Sequence, residues 1–184
     1  MKLLSALLIL FVSFGLNAQN KKIDTSKSSI HWVGKKITGQ HDGTLDFKDG
    51  TLVFDGKKLT GGSFTVDMTT ISATDVEGKT KDKLDGHLKA EDFFGVDKHP
   101  TSKLDFKKIA DKGKGVYTVT ADMTIKGITN SVTFDITVKD NSATAKFNVD
   151  RTKYDIKYGS KSFFEGIGDR AINDEFELEV KLAF

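Results

Sequence analysis

The chain has no cysteine among its 184 residues. Disulfides, Fe–S clusters, cysteine-type zinc sites and thiol catalysis are thereby excluded. One proline against 17 glycines rules out collagen-like and proline-rich classes. An excess of one charge is also lacking, since 28 basic residues face 26 acidic ones for a net of +2. That balance predicts no nucleic-acid partner. The four histidines, His31, His41, His87 and His99, form no H-x-H or H-E-x-x-H pair, so no metal ligand and no cofactor is predicted. There is no G-x-S-x-G elbow, no phosphate-cradling glycine loop and no dinucleotide fingerprint, and no catalytic residue is assigned.

Long hydrophobic runs are confined to the N-terminus. Lys2 followed by the apolar stretch Leu3–Leu16 has the length of a signal-peptide core and is short for a transmembrane helix. Asn17–Ala18–Gln19 reads as the cleavage region, giving a signal peptide over 1–18 and a single domain over 19–184. With no cysteine after the apolar core, a lipoprotein anchor is excluded. The mature chain is expected in the periplasm or secreted, with no integral membrane segment.

What is present is alternation. Tyr117–Ile125, Ser131–Lys139, Ala143–Val149 and Glu175–Phe184 each place apolar residues on one face and polar residues on the other. This is the pattern of antiparallel sheet with one dry face. Shorter strands of the same kind surround Ile30 and Trp32, Leu45 and Phe47, Leu52 and Phe54, Phe64 to Met68, and Leu104 and Phe106. Asp49–Gly50, Asp55–Gly56 and Lys126–Asn130 read as hairpin turns, and Lys107–Lys114 as a solvated turn. Two segments break the alternation. Lys79–Phe94 places Leu84 and Leu88 on one helical face and predicts one or two short helices, with Asp82, Asp85, Glu91 and Asp92 on a solvated side. Asp155–Asp174 predicts a long ordered loop, with Arg151 pairing with Asp169 or Asp174.

Fourteen phenylalanines dominate the apolar set. On periodicity alone, those on the dry faces either pack a solid core or line a cavity, because a barrel of about eight strands can hold an apolar ligand.

Several motifs together resemble the YceI-like family, exported lipocalin-like proteins that bind polyisoprenoid lipids. They are Ser28–Trp32 in the first strand, Gly39 and Gly43, Lys83–Leu88 followed by Asp92–Phe94 and His99–Pro100, Asp122–Thr129, Asp150–Tyr154, and Gly168–Asp169 with Asp174. The likeness runs from Ile23 to Phe184. It departs at Lys126 and near Lys35–Lys36, where other members often carry histidine, and in the insert Gly159–Phe164. The resemblance implies an all-β fold, an eight-stranded antiparallel lipocalin-like barrel with a short helical segment over one side. It implies a non-catalytic protein that holds a polyisoprenoid or quinone-type lipid in the barrel.

The expected ligand-binding residues are the inward ones, Trp32, Phe47, Phe54, Phe64, Phe106, Met123, Phe134, Phe147 and Phe176. Phe93, Phe94, Phe163 and Phe164 are candidates for the mouth, with Phe93–Phe94 alternatively clamping the helix to the barrel. Tyr154 could offer its hydroxyl to a polar head or sit in the core. A lipid-modifying enzyme and a filled barrel serving as an interaction module stay open as alternatives, as does a homodimer.

Overall fold

The alternating segments zip into one antiparallel sheet that closes on itself. The computed structural model describes residues 18–184. The signal-peptide reading therefore lies outside the described residues, apart from Ala18. The strands are β1 (Ala18–Lys22), β2 (Ser29–Lys36), β3 (Gly39–Asp55), β4 (Lys58–Ala73), β5 (Thr101–Gly113), β6 (Val116–Ile125), β7 (Ile128–Lys139), β8 (Ser142–Asp150) and β9 (Ile172–Ala183). One helix, α1 (Gly78–Lys89), lies between β4 and β5. The spatial order is β1-β3-β2-β9-β8-β7-β6-β5-β4, and β4 returns to β3 to close the barrel. Strands β2 to β9 form the eight staves. Strand β1 pairs with Thr51–Asp55 of β3, beyond the part that β2 covers.

The two longest strands are single, bent elements rather than hairpins. Asp49–Gly50 is no turn; it lies inside β3, where the register with β4 slips between Phe47 and Asp49. The extra residue flips the alternation, so that Leu45 and Phe47 point inward before it and Gly50, Leu52 and Phe54 after it. Such a bulge bends a long strand around a barrel corner. Gly50 suits that corner because a Cβ there would fall 2.5 Å from the Phe64 ring. Lys107–Lys114 is corrected in the same way. Most of it is β5, with a register slip between Phe106 and Lys108. The loop after β6 is tighter than expected. Ile125 pairs with Ile128 around Lys126–Gly127, both with positive φ, the backbone that a two-residue hairpin needs.

The turns divide the barrel into two ends. The β3–β4, β5–β6 and β7–β8 turns share one end, where Leu52, Phe54, Leu59, Tyr117 and Val119 are buried. The other end carries α1, the β6–β7 turn and the long segment between β8 and β9. There α1 is not uniformly solvated on its acidic side. Asp85 accepts the Ala73 backbone N–H at 2.7 Å and the Ser72 hydroxyl at 2.9 Å, and pairs with Lys81. After α1 the chain turns and buries Phe93, Phe94 and Val96.

Candidate functional site

Inward side chains leave an apolar cavity of about 150 Å³ toward the helical end. Ten predicted residues line it: Trp32, Phe47, Phe64, Phe93, Phe94, Phe106, Met123, Phe134, Phe147 and Phe176. Five of them form a belt of rings across five strands. Phe47 meets Phe64 at 6.0 Å between centroids, Phe64 meets Phe106 at 5.7 Å, Phe106 meets Phe134 at 6.0 Å, and Phe134 stacks on Phe147 at 4.4 Å. These offset and tilted contacts suit aromatic quadrupoles. A second cluster closes the helical end, where Phe94 sits edge-on to Phe176 and Phe93, and Phe93 abuts His87.

Four predicted residues lie elsewhere. Phe54 is buried at the opposite end against Phe184, with the Lys21 ammonium over both rings. The bulge in β3 keeps it inward but carries it past the cavity. Tyr154 is buried behind the wall, and its hydroxyl has no hydrogen-bond partner among the described residues. Burial pushes its pKa up to about 12, with the Asp150 charge adding to it. Phe163 and Phe164 are half-exposed on the loop and do not border the cavity. Their segment is pinned at Ser160, which is fully buried, and so turns their rings outward.

Sequence reasoning placed Arg151 in a loop contact and missed its place in the cavity wall. The residue is 2% exposed. Its guanidinium donates to the carbonyls of Asn173, Ile156 and Ile172 at 2.9, 2.7 and 3.0 Å. Asp174 lies 3.7 Å away, which selects Asp174 over Asp169 as its ionic partner. Burial lowers the guanidinium pKa, against the pull of Asp174 and Asp150. The only signal in the sequence was an arginine directly after a strand.

Polar groups around the cavity are few, and two of them, Trp32 Nε1 and Ser102 Oγ, are buried without a hydrogen-bond partner among the described residues. Glu175 accepts from Asn148 at 3.1 Å. His31 bonds Asp42 and His41 bonds Asp75, both on the outside of the barrel. His87 is wedged between Phe93 and Tyr158, with its Nε2 buried and without a hydrogen-bond partner among the described residues. Among the described residues no group of three or more His, Asp or Glu could hold a metal, and no helix is long and apolar enough to cross a membrane.

Comparison with known proteins places this geometry. The YceI-like domain family matches residues 22–184, and the chain belongs to that family. A UPF0312 protein of Shewanella denitrificans is 34% identical over 85 residues, 46% of this chain and 42% of the relative. Another from Vibrio campbellii is 28% identical over 127 residues, 66% and 64% of the two chains. The matched segments thus span about half to two thirds of these relatives' length. Among solved structures, Burkholderia cenocepacia BcnA superposes with a TM-score of 0.71 at 21% identity, covering 88% of this chain and 99% of that one. A polyisoprenoid binding domain from Saccharophagus degradans superposes at 0.59 and 11% identity, over 90% and 97%. At these identities the likeness is one of fold.

Proposed function

We propose that this YceI-like barrel binds a long apolar lipid, a polyisoprenoid or an isoprenoid quinone, without chemical conversion, and carries or stores it in the cell envelope. The observation that carries this reading is the cavity walled by the five-ring phenylalanine belt. The Saccharophagus degradans neighbour, a polyisoprenoid binding domain, supports the same chemistry.

Burial supplies the driving force. Apolar area removed from water contributes about 25 cal/mol per Å². A tail burying roughly 400 Å² would gain on the order of 10 kcal/mol before ordering and association costs. The cavity is narrow, at about 150 Å³, a volume that accepts one benzene-sized guest. A longer chain therefore displaces lining side chains as it enters. Met68 and Met123 are suited to this, being unbranched and polarizable.

The test is native mass spectrometry of protein purified from its own cell envelope, followed by solvent extraction. A stoichiometric isoprenoid is expected. Affinity should rise with tail length across a series of isoprenoid alcohols, read by quenching of Trp32, the single tryptophan, which lines the cavity. Affinity indifferent to tail length would overturn the mechanism. A protein with no bound mass after incubation with these lipids would favour a filled interaction module. Export is part of the proposal, and N-terminal sequencing should find the mature chain beginning at Gln19.

A further inference from the structure

We propose that the ligand reaches the cavity through the side of the barrel, between β7 and β8, with Phe134 and Phe147 as the gate. The inference rests on the apolar-ligand reading and concerns its route. β7 and β8 share four rungs only, Ile136–Lys139 against Ala145–Ser142. Each is far better joined on its other side, β7 to β6 by ten rungs and β8 to β9 by nine.

Continuing the β7–β8 register would set Asp135 against Lys146, Phe134 against Phe147 and Thr133 against Asn148. None of these pairs is in the ladder. Asp135 and Lys146 are opposite charges that a closed seam would bring side by side, yet each turns away. Asp135 takes Thr118 and Lys112, while Lys146 takes Glu177 and Glu179. Asn148 likewise donates to Glu175 on β9. Among the described residues no side-chain hydrogen bond or ion pair joins 131–135 to 146–150. Beyond this stretch, at the helical end, Asn130 donates to the Lys153 carbonyl at 2.9 Å. The window between that bond and the four rungs is about five residues long, roughly 16 Å of strand.

The Phe134–Phe147 stack closes the window from inside, its rings within 13° of parallel, and both rings line the cavity. Outside, a shallow groove begins at Asp135 and Lys146, the near edge of the window, and runs over the Thr137–Thr144 rung onto β9. Ala145 and Val180 border both the groove and the cavity. A guest passing this way needs two rings to swing, with no ladder to unzip.

The other routes are harder. The helical end is plugged by Phe93 and Phe94 and tied down through Asp85 and Arg151. The remaining short ladder, β4–β5, parts at the opposite end, where Phe106 packs so closely on Gly62 that a Cβ would fall 2.8 Å away.

The experiment staples the window. Thr133 and Asn148 are exposed, and the chain has no cysteine, so Thr133→Cys with Asn148→Cys gives a unique pair. A short bifunctional thiol reagent bridges it, with closure confirmed by mass. Each single-cysteine variant capped with a monofunctional reagent is the control. Uptake of geranylgeraniol is followed by Trp32 quenching. The bridged protein should load about tenfold or more slowly with unchanged final occupancy, and Phe147→Ala should load faster by a similar factor. A bridged protein that loads at the control rate would overturn the portal and leave the ligand reading standing. An unbridged parent that takes up no isoprenoid at all would overturn both.

Discussion

The carboxylate of Asp85 reaches back from the helix and accepts the backbone N–H of Ala73 at 2.7 Å, the last residue of β4. Its other oxygen takes the Ser72 hydroxyl and the Lys81 ammonium. Burial raises the Asp85 pKa, and these hydrogen bonds outweigh it, holding the carboxyl below its usual range. Removing the side chain would leave the Ala73 N–H unpaired, at about 1–3 kcal/mol. Asp85→Ala should therefore lower the urea midpoint by the equivalent of about 2 kcal/mol. The pH dependence follows from the depressed pKa. The contribution is complete above the unfolded carboxylate pKa and is lost as pH falls through the lower folded value. Acid titration of wild type should show this loss below the ordinary pKa of 3.8, and Asp85→Ala should lack it.

Arg151 supports the segment between β8 and β9 by a different means. Its three hydrogen bonds tie the carbonyl of Ile156, five residues on, to those of the adjacent Ile172 and Asn173 at the far end of the segment. A lysine has a single nitrogen and cannot reproduce that fork. Arg151→Lys should cost about 2–4 kcal/mol, because buried carbonyls lose their donors while a charge stays buried. Hydrogen exchange should quicken across 155–172 ahead of the barrel strands. Uniform quickening over the whole barrel would instead mean that Arg151 supports the global core.

These two contacts mark the limit of what the sequence discloses. Alternation found β6 to β9 to within a few residues at each end, because a closed barrel demands one dry face along each stave. It fragmented β3, because the bulge after Phe47 flips the phase and makes Asp49–Gly50 look like a turn. The belt from Phe47 to Phe147 was legible as inward-facing residues. Their division between cavity and solid core was not, since Phe54 obeys the same alternation as Phe64 and differs only in height along the barrel. Arg151 was illegible as a wall residue because its acceptors at Ile172 and Asn173 reach it only through the fold.

Gly43 offers a sharper steric test. A Cβ there would fall 2.0 Å from the Ser72 carbonyl oxygen and 2.6 Å from the Trp32 ring. Backbone cannot yield as a flexible side-chain tip can, so Gly43→Ala should destabilise by about 3 kcal/mol or more and shift Trp32 emission. Gly61→Ala is the contrast. Its Cβ would meet only the Val53 side chain, at 3.2 Å, and the change should stay within about 1 kcal/mol. Equal effects in urea melts would show that the close approach at Gly43 is not what holds Trp32 in place.

The exposed loop rings separate shape from function. Phe163 and Phe164 stand 50% and 48% exposed, and Lys157 lies over the Phe163 ring at 5.1 Å. Neither borders the cavity. The double change Phe163→Ser, Phe164→Ser should alter stability by no more than about 0.5 kcal/mol and leave isoprenoid affinity as it was. Phe176→Ser should lower both, because Phe176 lines the cavity and holds Phe94 edge-on across the helical end. Trp32 quenching and urea melts on the two variants read affinity and stability separately. A large loss of affinity in the loop variant, with stability intact, would mean that the rings close over the ligand when it is bound. The mouth would then lie on the loop, and the route through the β7–β8 wall would have a competitor.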